Sequence, residues 1–336
     1  MVRRSLVALC AAALVLAGNP RARAETDIIK IPRGAGGLGF LPLLIMEQQG
    51  LIERKAREAG IAHLKAEWIK LGGPALVNDL LLSGSADVVA AGPPAFLTLW
   101  DRTRGNAEDK GVASMSSIPM YLNTRSAHLR SIRDLRPTDK IAITAVKVSI
   151  PAIIMQMAAI KDFGAADYAH YDKYTVGLTH PDALIALMSG RADISGHFAS
   201  PPFHQRERKA ADVRTILTSN EVMGGPSTFT MLYTRSKFHA DNPRVYGAVL
   251  KALQEALAFI NHDKRGAALA FLAMEGQGMT LEEVLEILSD ADVRYTISPE
   301  NVMQYAAFMA TVGSIKLRPA RWQDLFFPEL HGEPGG

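Results

Sequence analysis

The strongest constraint on this chain is an echo within it. Residues 82–87 read Leu82-Ser83-Gly84-Ser85-Ala86-Asp87, and residues 188–193 read Met188-Ser189-Gly190-Arg191-Ala192-Asp193. Each stretch closes a helix-patterned segment opened by Pro74 or Pro181. Each leads into a short apolar run and then a double proline, Pro93-Pro94 or Pro201-Pro202. Gly84 and Gly190 are placed to take the left-handed conformation that ends a helix. The alanine and the apolar residues after it enter a sheet. The prolines suit a helix start, where an N–H has no partner to lose. A repeated helix–turn–strand–Pro-Pro unit predicts two similar α/β lobes.

The surrounding pattern agrees. Residues 27–33 read as a first strand ended by glycines, 42–49 as a helix, 65–70 as a strand and 87–91 as a short buried strand. Strand, loop and helix alternate, which predicts α/β layers around mainly parallel sheets. The second lobe repeats this with a strand at 140–146, a helix at 150–163 stopped by Gly164, a strand region at 168–176 and a helix at 181–188. Residues 116–124 and 228–234 read as extended crossovers between lobes. Helices follow at 243–262, 264–274, 281–289 and 299–312, with glycine or proline at the breaks. A short element at 319–330 precedes a Gly/Pro-rich tail expected to fray. The expected lobes are 25–120 plus 230–336, and 121–229.

Residues 1–24 read as a secretory signal. Arg3 and Arg4 precede an apolar run, and Ala22-Arg23-Ala24 is a small-x-small site that predicts cleavage after Ala24. The expected location is therefore the periplasm. These residues hold four arginines and no acid, so their removal leaves 33 basic residues of the 37 against 34 acids, a net charge of −1. No basic surplus remains for nucleic acid. The one cysteine, Cys10, leaves with the signal, so no disulfide, thiolate metal site or cysteine nucleophile is expected in the mature chain. Removing 24 of 336 residues leaves 312, enough for two cores.

Gly39-Phe40-Leu41-Pro42 followed by Glu47-Gln48-Gln49-Gly50-Leu51 resembles the opening of NitT/TauT-type solute-binding proteins. These are the nitrate, taurine and aliphatic-sulfonate binders, related to the thiamine-pyrimidine binders. The 82–87 turn, Gly92-Pro93-Pro94-Ala95, Ser131-Ile132-Arg133-Asp134-Leu135, residues 186–193 and Pro201-Pro202 extend the resemblance over roughly residues 27–270. It implies a type II periplasmic binding-protein fold, in which two α/β lobes joined by two extended hinges close over a solute. It also implies a monomer that delivers its ligand to an ABC permease and, through that, an ATPase. The membrane is met only through the permease, and no cofactor or catalysis is implied. The segments 116–123 and 226–230 match no subgroup.

In open α/β sheets a ligand sits beyond the C-terminal strand ends, where loops start helices. That singles out Leu38, Gly39, Phe40, Gly72, Gly73, Gly92, Pro93, Pro94, Lys147, Ser149, Ile150, His197 and Phe198 as candidate ligand-binding residues. The glycines would let backbone approach a ligand or would simply form turns. Ser149 could donate its hydroxyl or cap its helix. Lys147 and His197 could offer charge or donors, and the two phenylalanines could form apolar walls or core. These loops hold no carboxylate, which favours a neutral or anionic solute.

Gly34-Ala35-Gly36-Gly37-Leu38-Gly39 matches the dinucleotide-binding G-x-G-x-x-G, but the next strand ends near Lys70 with no acid to hold a ribose. No G-x-S-x-G elbow, H-E-x-x-H pair or calcium-loop spacing is present. An exported small-molecule sensor on the same fold is the principal alternative, ahead of an enzyme on it.

Overall fold

The computed structural model describes residues 25–34, 36–70, 76–190, 193–276 and 278–336. The expected signal, Gly72, Gly73, Pro74 and part of the second Ser-Gly turn lie outside them. The strands are β1 (Ile28–Pro32), β2 (Lys65–Ile69), β3 (Val88–Ala91), β4 (Lys110–Ser117), β5 (Tyr121–Thr124), β6 (Ile141–Ile143), β7 (Thr175–Gly177), β8 (Gly196–Ala199), β9 (Arg214–Thr218) and β10 (Thr228–Thr234). The helices are α1 (Leu41–Gln48), α2 (Leu51–Glu58), α3 (Val77–Leu82), α4 (Pro93–Thr103), α5 (Ile150–Phe163), α6 (His180–Met188), α7 (Phe203–Arg208), α8 (Ser219–Met223), α9 (Ser236–Asp241), α10 (Pro243–His262), α11 (Lys264–Met274), α12 (Leu281–Ser289) and α13 (Val302–Thr311).

Two layers of sheet follow one plan. In the second, the order is β7-β6-β8-β5-β9. In the first, β2 pairs with β1, and β10 lies between β3 and β4. The Asp87 N–H donates to the Lys30 carbonyl at 2.9 Å, which brings β3 beside β1. Each half therefore runs second strand, first strand, third strand, a strand arriving from the other half, then a last strand. The pairs β1–β2, β6–β7 and β6–β8 are parallel. The arriving strands are not. β10 is antiparallel to β3 and β4, and β5 to β8 and β9. The expectation of mainly parallel sheets is corrected here: a chain that crosses at one end of the molecule enters the other sheet running backwards.

The echo is physical. Gly84 has φ 74° and Gly190 φ 67°, left-handed values at the ends of α3 and α6. A Cβ on Gly84 would lie 3.4 Å from an Arg235 nitrogen, and one on Gly190 3.5 Å from an Arg125 nitrogen. Both arginines follow an arriving strand, in Thr124-Arg125-Ser126 and Thr234-Arg235-Ser236. This second repeat is also legible in the sequence. Arg125 donates to the carbonyl of Met188 at 2.9 Å, and Arg235 pairs with Asp87.

The C-terminal helices brace the first half. The apolar face of α10, with Val245, Val249, Leu253, Ala256 and Ile260 at helical spacing, packs on α1 and α2. The Asp263 side chain caps α11 at the Gly266 N–H, and Thr280 with Glu283 forms a capping box on α12. One apolar cluster runs through both halves, while Ala142, Ala183, Leu187 and Ile194 form a small one under α6.

Four local expectations need correction. Residues 168–171 form turns and Asp172–Tyr174 a short 3-10 helix rather than a strand, where Tyr171 donates to Asp162 at 2.6 Å and stands edge-on to Phe163. The strand at 140–146 shrinks to three residues, since the chain turns at once towards α5. Pro201-Pro202 forms a turn joined by a cis peptide, and α7 starts only at Phe203. The tail is pinned: the Gly336 N–H donates to Pro299 O at 3.0 Å, and the Val302 N–H to Gly336 O at 2.7 Å.

Candidate functional site

A cavity of about 300 Å³ opens between the halves. On the first side, loops leaving β1 and β3 supply Gly36, Phe40 and Gly92, with Phe229 and Thr230 from β10. On the second side, Thr144 follows β6, His180 follows β7 and Ser200 follows β8, while Ser149 and Ile150 open α5. Met120 sits at the crossover. Apart from Phe229 and Thr230, at the start of the antiparallel β10, and Met120, these are positions beyond C-terminal strand ends, where an α/β sheet leaves its helix starts facing outwards.

Close approach shapes the walls. A Cβ on Gly92 would fall 2.6 Å from the Ile150 side chain and 3.2 Å from the Phe229 carbonyl, so only glycine lets α4 and α5 face each other here. A Cβ on Gly39 would strike the Phe229 ring at 2.2 Å. Gly39 therefore lies behind that ring, where its carbonyl accepts from Thr230 Oγ1 at 2.7 Å and Ser116 Oγ at 3.1 Å. The loop before it is tethered from α11: Glu275 accepts from the Gly37 N–H at 2.8 Å. Burial raises the pKa of Glu275, offset by that N–H and by Arg33.

Most polar groups on the walls are already engaged. Asn78 donates to Ala95 O at 2.9 Å and accepts from Tyr233 at 2.7 Å. Thr98 donates to Pro94 O at 2.9 Å, and Ser149 to Ala145 O at 2.6 Å. Prolines at the starts of α4 and α5 remove N–H groups that an anion would otherwise use. Among the described residues no charged side chain lines the cavity.

The exception is a buried relay. His180 Nε2 lies 3.3 Å from Ser200 Oγ, and its Nδ1 lies 2.8 Å from His197 Nε2. His197 Nδ1 lies 2.5 Å from Glu207 Oε1, and Asn123 Nδ2 donates to Glu207 Oε2 at 2.7 Å. His180 stacks on Phe203. Burial, then the neighbouring His197, depresses the His180 pKa to about 3, so the ring is neutral. Burial also lowers His204, stacked on Tyr121, to about 4, helped by Arg208.

Of the residues singled out from sequence, Phe40, Gly92, Pro94, Ser149 and Ile150 line the cavity. Leu38 is core and gives its carbonyl to Tyr295 at 2.8 Å. Pro93 is buried at the base of α4. Lys147 is exposed at φ 67° and off the wall, turned out by the bend before α5. His197 and Phe198 are buried on the strand itself, one behind His180 and the other in the core. Ser149 caps α5 without a side-chain bond to its N–H groups. Gly72 and Gly73 lie outside the described residues. The sequence reading missed His180, Ser200, Met120, Asn78 and Phe229. His180 was findable: it is the residue before Pro181 in a strand-to-helix loop of the kind already selected.

No family model and no curated protein matches this chain. Solved structures do. The alkanesulfonate-binding protein of Xanthomonas axonopodis pv. citri, bound to MOPS, aligns with TM-score 0.67 and 16% identity over 88% of this chain and 96% of its own. The periplasmic nitrate-binding protein of Synechocystis PCC 6803 aligns with TM-score 0.65 and 14% identity over 89% and 84%. A Candida albicans protein described as having the generic periplasmic binding-protein fold aligns with TM-score 0.65 and 12% identity over 90% and 96%. At these identities the likeness is one of fold: this chain has the two-lobed periplasmic binding-protein fold. The alkanesulfonate- and nitrate-binding neighbours are of the kind that the sequence motifs resemble.

Proposed function

We propose that this chain is the periplasmic solute-binding component of an ABC importer, which captures a small neutral or anionic organic solute between its halves and does no chemistry on it. The observation that carries the reading is the cavity: it lies at the junction of two sheets of one plan, joined by short crossovers, with apolar walls and one polar corner. The sulfonate- and nitrate-binding neighbours support the solute class, and an alkane chain beside an oxygen-bearing head matches the lining. In this reading the halves are 25–120 plus 230–336 and 121–229, and they close as hinged bodies. The closed monomer docks on a permease that its ATPase drives. The absence of charged lining groups among the described residues turns the solute away from cations and di- or trianions, whose desolvation none of those residues would offset.

The test is thermal unfolding of the exported chain against nitrate, taurine, alkane- and arylsulfonates, aromatic carboxylates, pyrimidines and amines. A solute at one hundred times its Kd adds about 2.7 kcal/mol. One saturable shift, with the solute recovered unaltered, is the expected result. A solute returned chemically changed sinks the non-enzymatic reading.

A further inference from the structure

The polar corner of the cavity is governed by groups behind it. Glu207 and His197 are fully buried. Among the described residues the Glu207 carboxyl meets only His197 and the Asn123 amide. An amide cannot neutralise a carboxylate. A lone negative charge in this interior is strongly disfavoured against a pair with no net charge. Two arrangements of the pair have none and also leave no buried donor unpaired, because Oε2 faces the Asn123 N–H and has no acceptor beside it for a proton of its own among the described residues. In one, the carboxyl keeps its proton and donates it to His197 Nδ1. In the other, His197 carries both ring protons against an ionised carboxylate. In both, His197 Nε2 bears a proton and donates to His180 Nδ1, 2.8 Å away. His180 Nδ1 then accepts, so the single proton of this neutral ring sits on Nε2. That N–H points towards Ser200 Oγ and the cavity. A Ser200 hydroxyl that accepts there keeps its own proton for a second donation.

We propose that the buried Glu207–His197 pair fixes His180 as a hydrogen-bond donor to the cavity, and thereby selects solutes with an oxygen acceptor on an apolar body. The proposal rests on the solute-binding reading for its ligand but not for its proton placement. Carboxylates, sulfonates and carboxamides present acceptors to the His180–Ser200 corner. An ammonium presents donors to a donor and is turned away. The apolar body lies against Phe40, Ile150 and Phe229.

The test has two arms. In full-length exported protein labelled with ¹⁵N-histidine, two-bond ¹⁵N–¹H correlation reads which ring nitrogen holds the proton. The expected result is His180 with Nε2 protonated and Nδ1 bare. The reverse pattern overturns the proposal while leaving the solute-binding reading in place. In the second arm, calorimetry compares benzoate, benzenesulfonate and benzamide with benzylamine. At least one acceptor-ended probe should bind tenfold or more tighter than benzylamine. His180→Phe should weaken that probe at least tenfold, and Ser200→Ala, which keeps the ring, several-fold. Benzylamine binding as tightly as the others, both variants within twofold of the parent, or no binding of any of the four overturns the stated solute class. The broader solute panel then decides the solute-binding reading separately.

Discussion

Among the described residues two carboxyl groups are fully buried, one in each half, and they are treated differently. Glu207 in the second half is met by His197 and Asn123. Asp109, just before β4 in the first half, is fully buried, and among the described residues neither oxygen has a hydrogen bond. The nearby Thr103 hydroxyl donates instead to Leu99 O at 2.9 Å. Burial drives the Asp109 pKa up to about 6, offset in part by Arg235 and Thr103. A satisfied buried acid is scaffolding for the groups around it. An unsatisfied one makes its half of the molecule sensitive to pH.

The sharpest way to break this comparison is to remove each acid. Glu207→Ala leaves His197 and Asn123 without their partner and should lose about 3–5 kcal/mol in urea unfolding at pH 7. Asp109→Asn should do the opposite. Its folded pKa lies above the unfolded value, so ionisation costs stability above pH 6 and the cost fades as pH falls towards 4. The variant should therefore gain about 2–3 kcal/mol at pH 7 and almost nothing at pH 4. A loss from Asp109→Asn at pH 7 would show that the group has a partner in solution.

The halves should also respond to acid with opposite sign. His180 and His204 have folded pKa values of about 3 and about 4, below the unfolded value, so stability is lost as pH falls through 6.5. Between pH 7 and pH 5 the two rings should each remove roughly 1–2 kcal/mol from the second half, while Asp109 returns about 1 kcal/mol to the first. Hydrogen exchange at pH 7 and 5 should show faster opening in β8 and slower opening in β4. Equal change in both would erase the distinction. The smallest effect tests likeness instead: Gly84→Ala and Gly190→Ala, both at left-handed φ, should each cost about 1 kcal/mol and by similar amounts. A clear inequality would mean that the matching turns do not carry matching strain.

Legibility followed the range of the interaction that fixes each element. Helices α5, α10, α11 and α12 lie where apolar spacing, Gly164, Pro243 and Thr280 place them, because those signals act within a few residues. The direction of β5 and β10 depends on which half the chain came from, and no local pattern encodes that. Phe40 and Ile150 were legible as helix-start residues. His197 was misplaced because alternation along a four-residue strand does not say which face meets the cavity and which meets α7. Phe229 was missed because residues 228–234, expected as a crossover, form strand β10 between β3 and β4, and a strand start carries no helix start to point at it. The tail was misread because Gly-rich composition predicts fraying, whereas its closure is a pair of backbone bonds to residues 299 and 302.

The two crossovers are stitched to each other. Met120 N–H donates to Ser219 Oγ and Ser219 N–H to Met120 O, both at 2.9 Å. On one side of the stitch Ser117 pairs with Thr228, and on the other Tyr121 pairs with Thr218. In the proposed closure, two straps lying side by side and tacked together would act like a door hinge, folding about one line and resisting being wrung. A swing of one half against the other would then be reduced to a single angle. One pair of labels across the mouth of the cleft would follow the whole movement, and a cut in either strap would let the halves twist as well as swing.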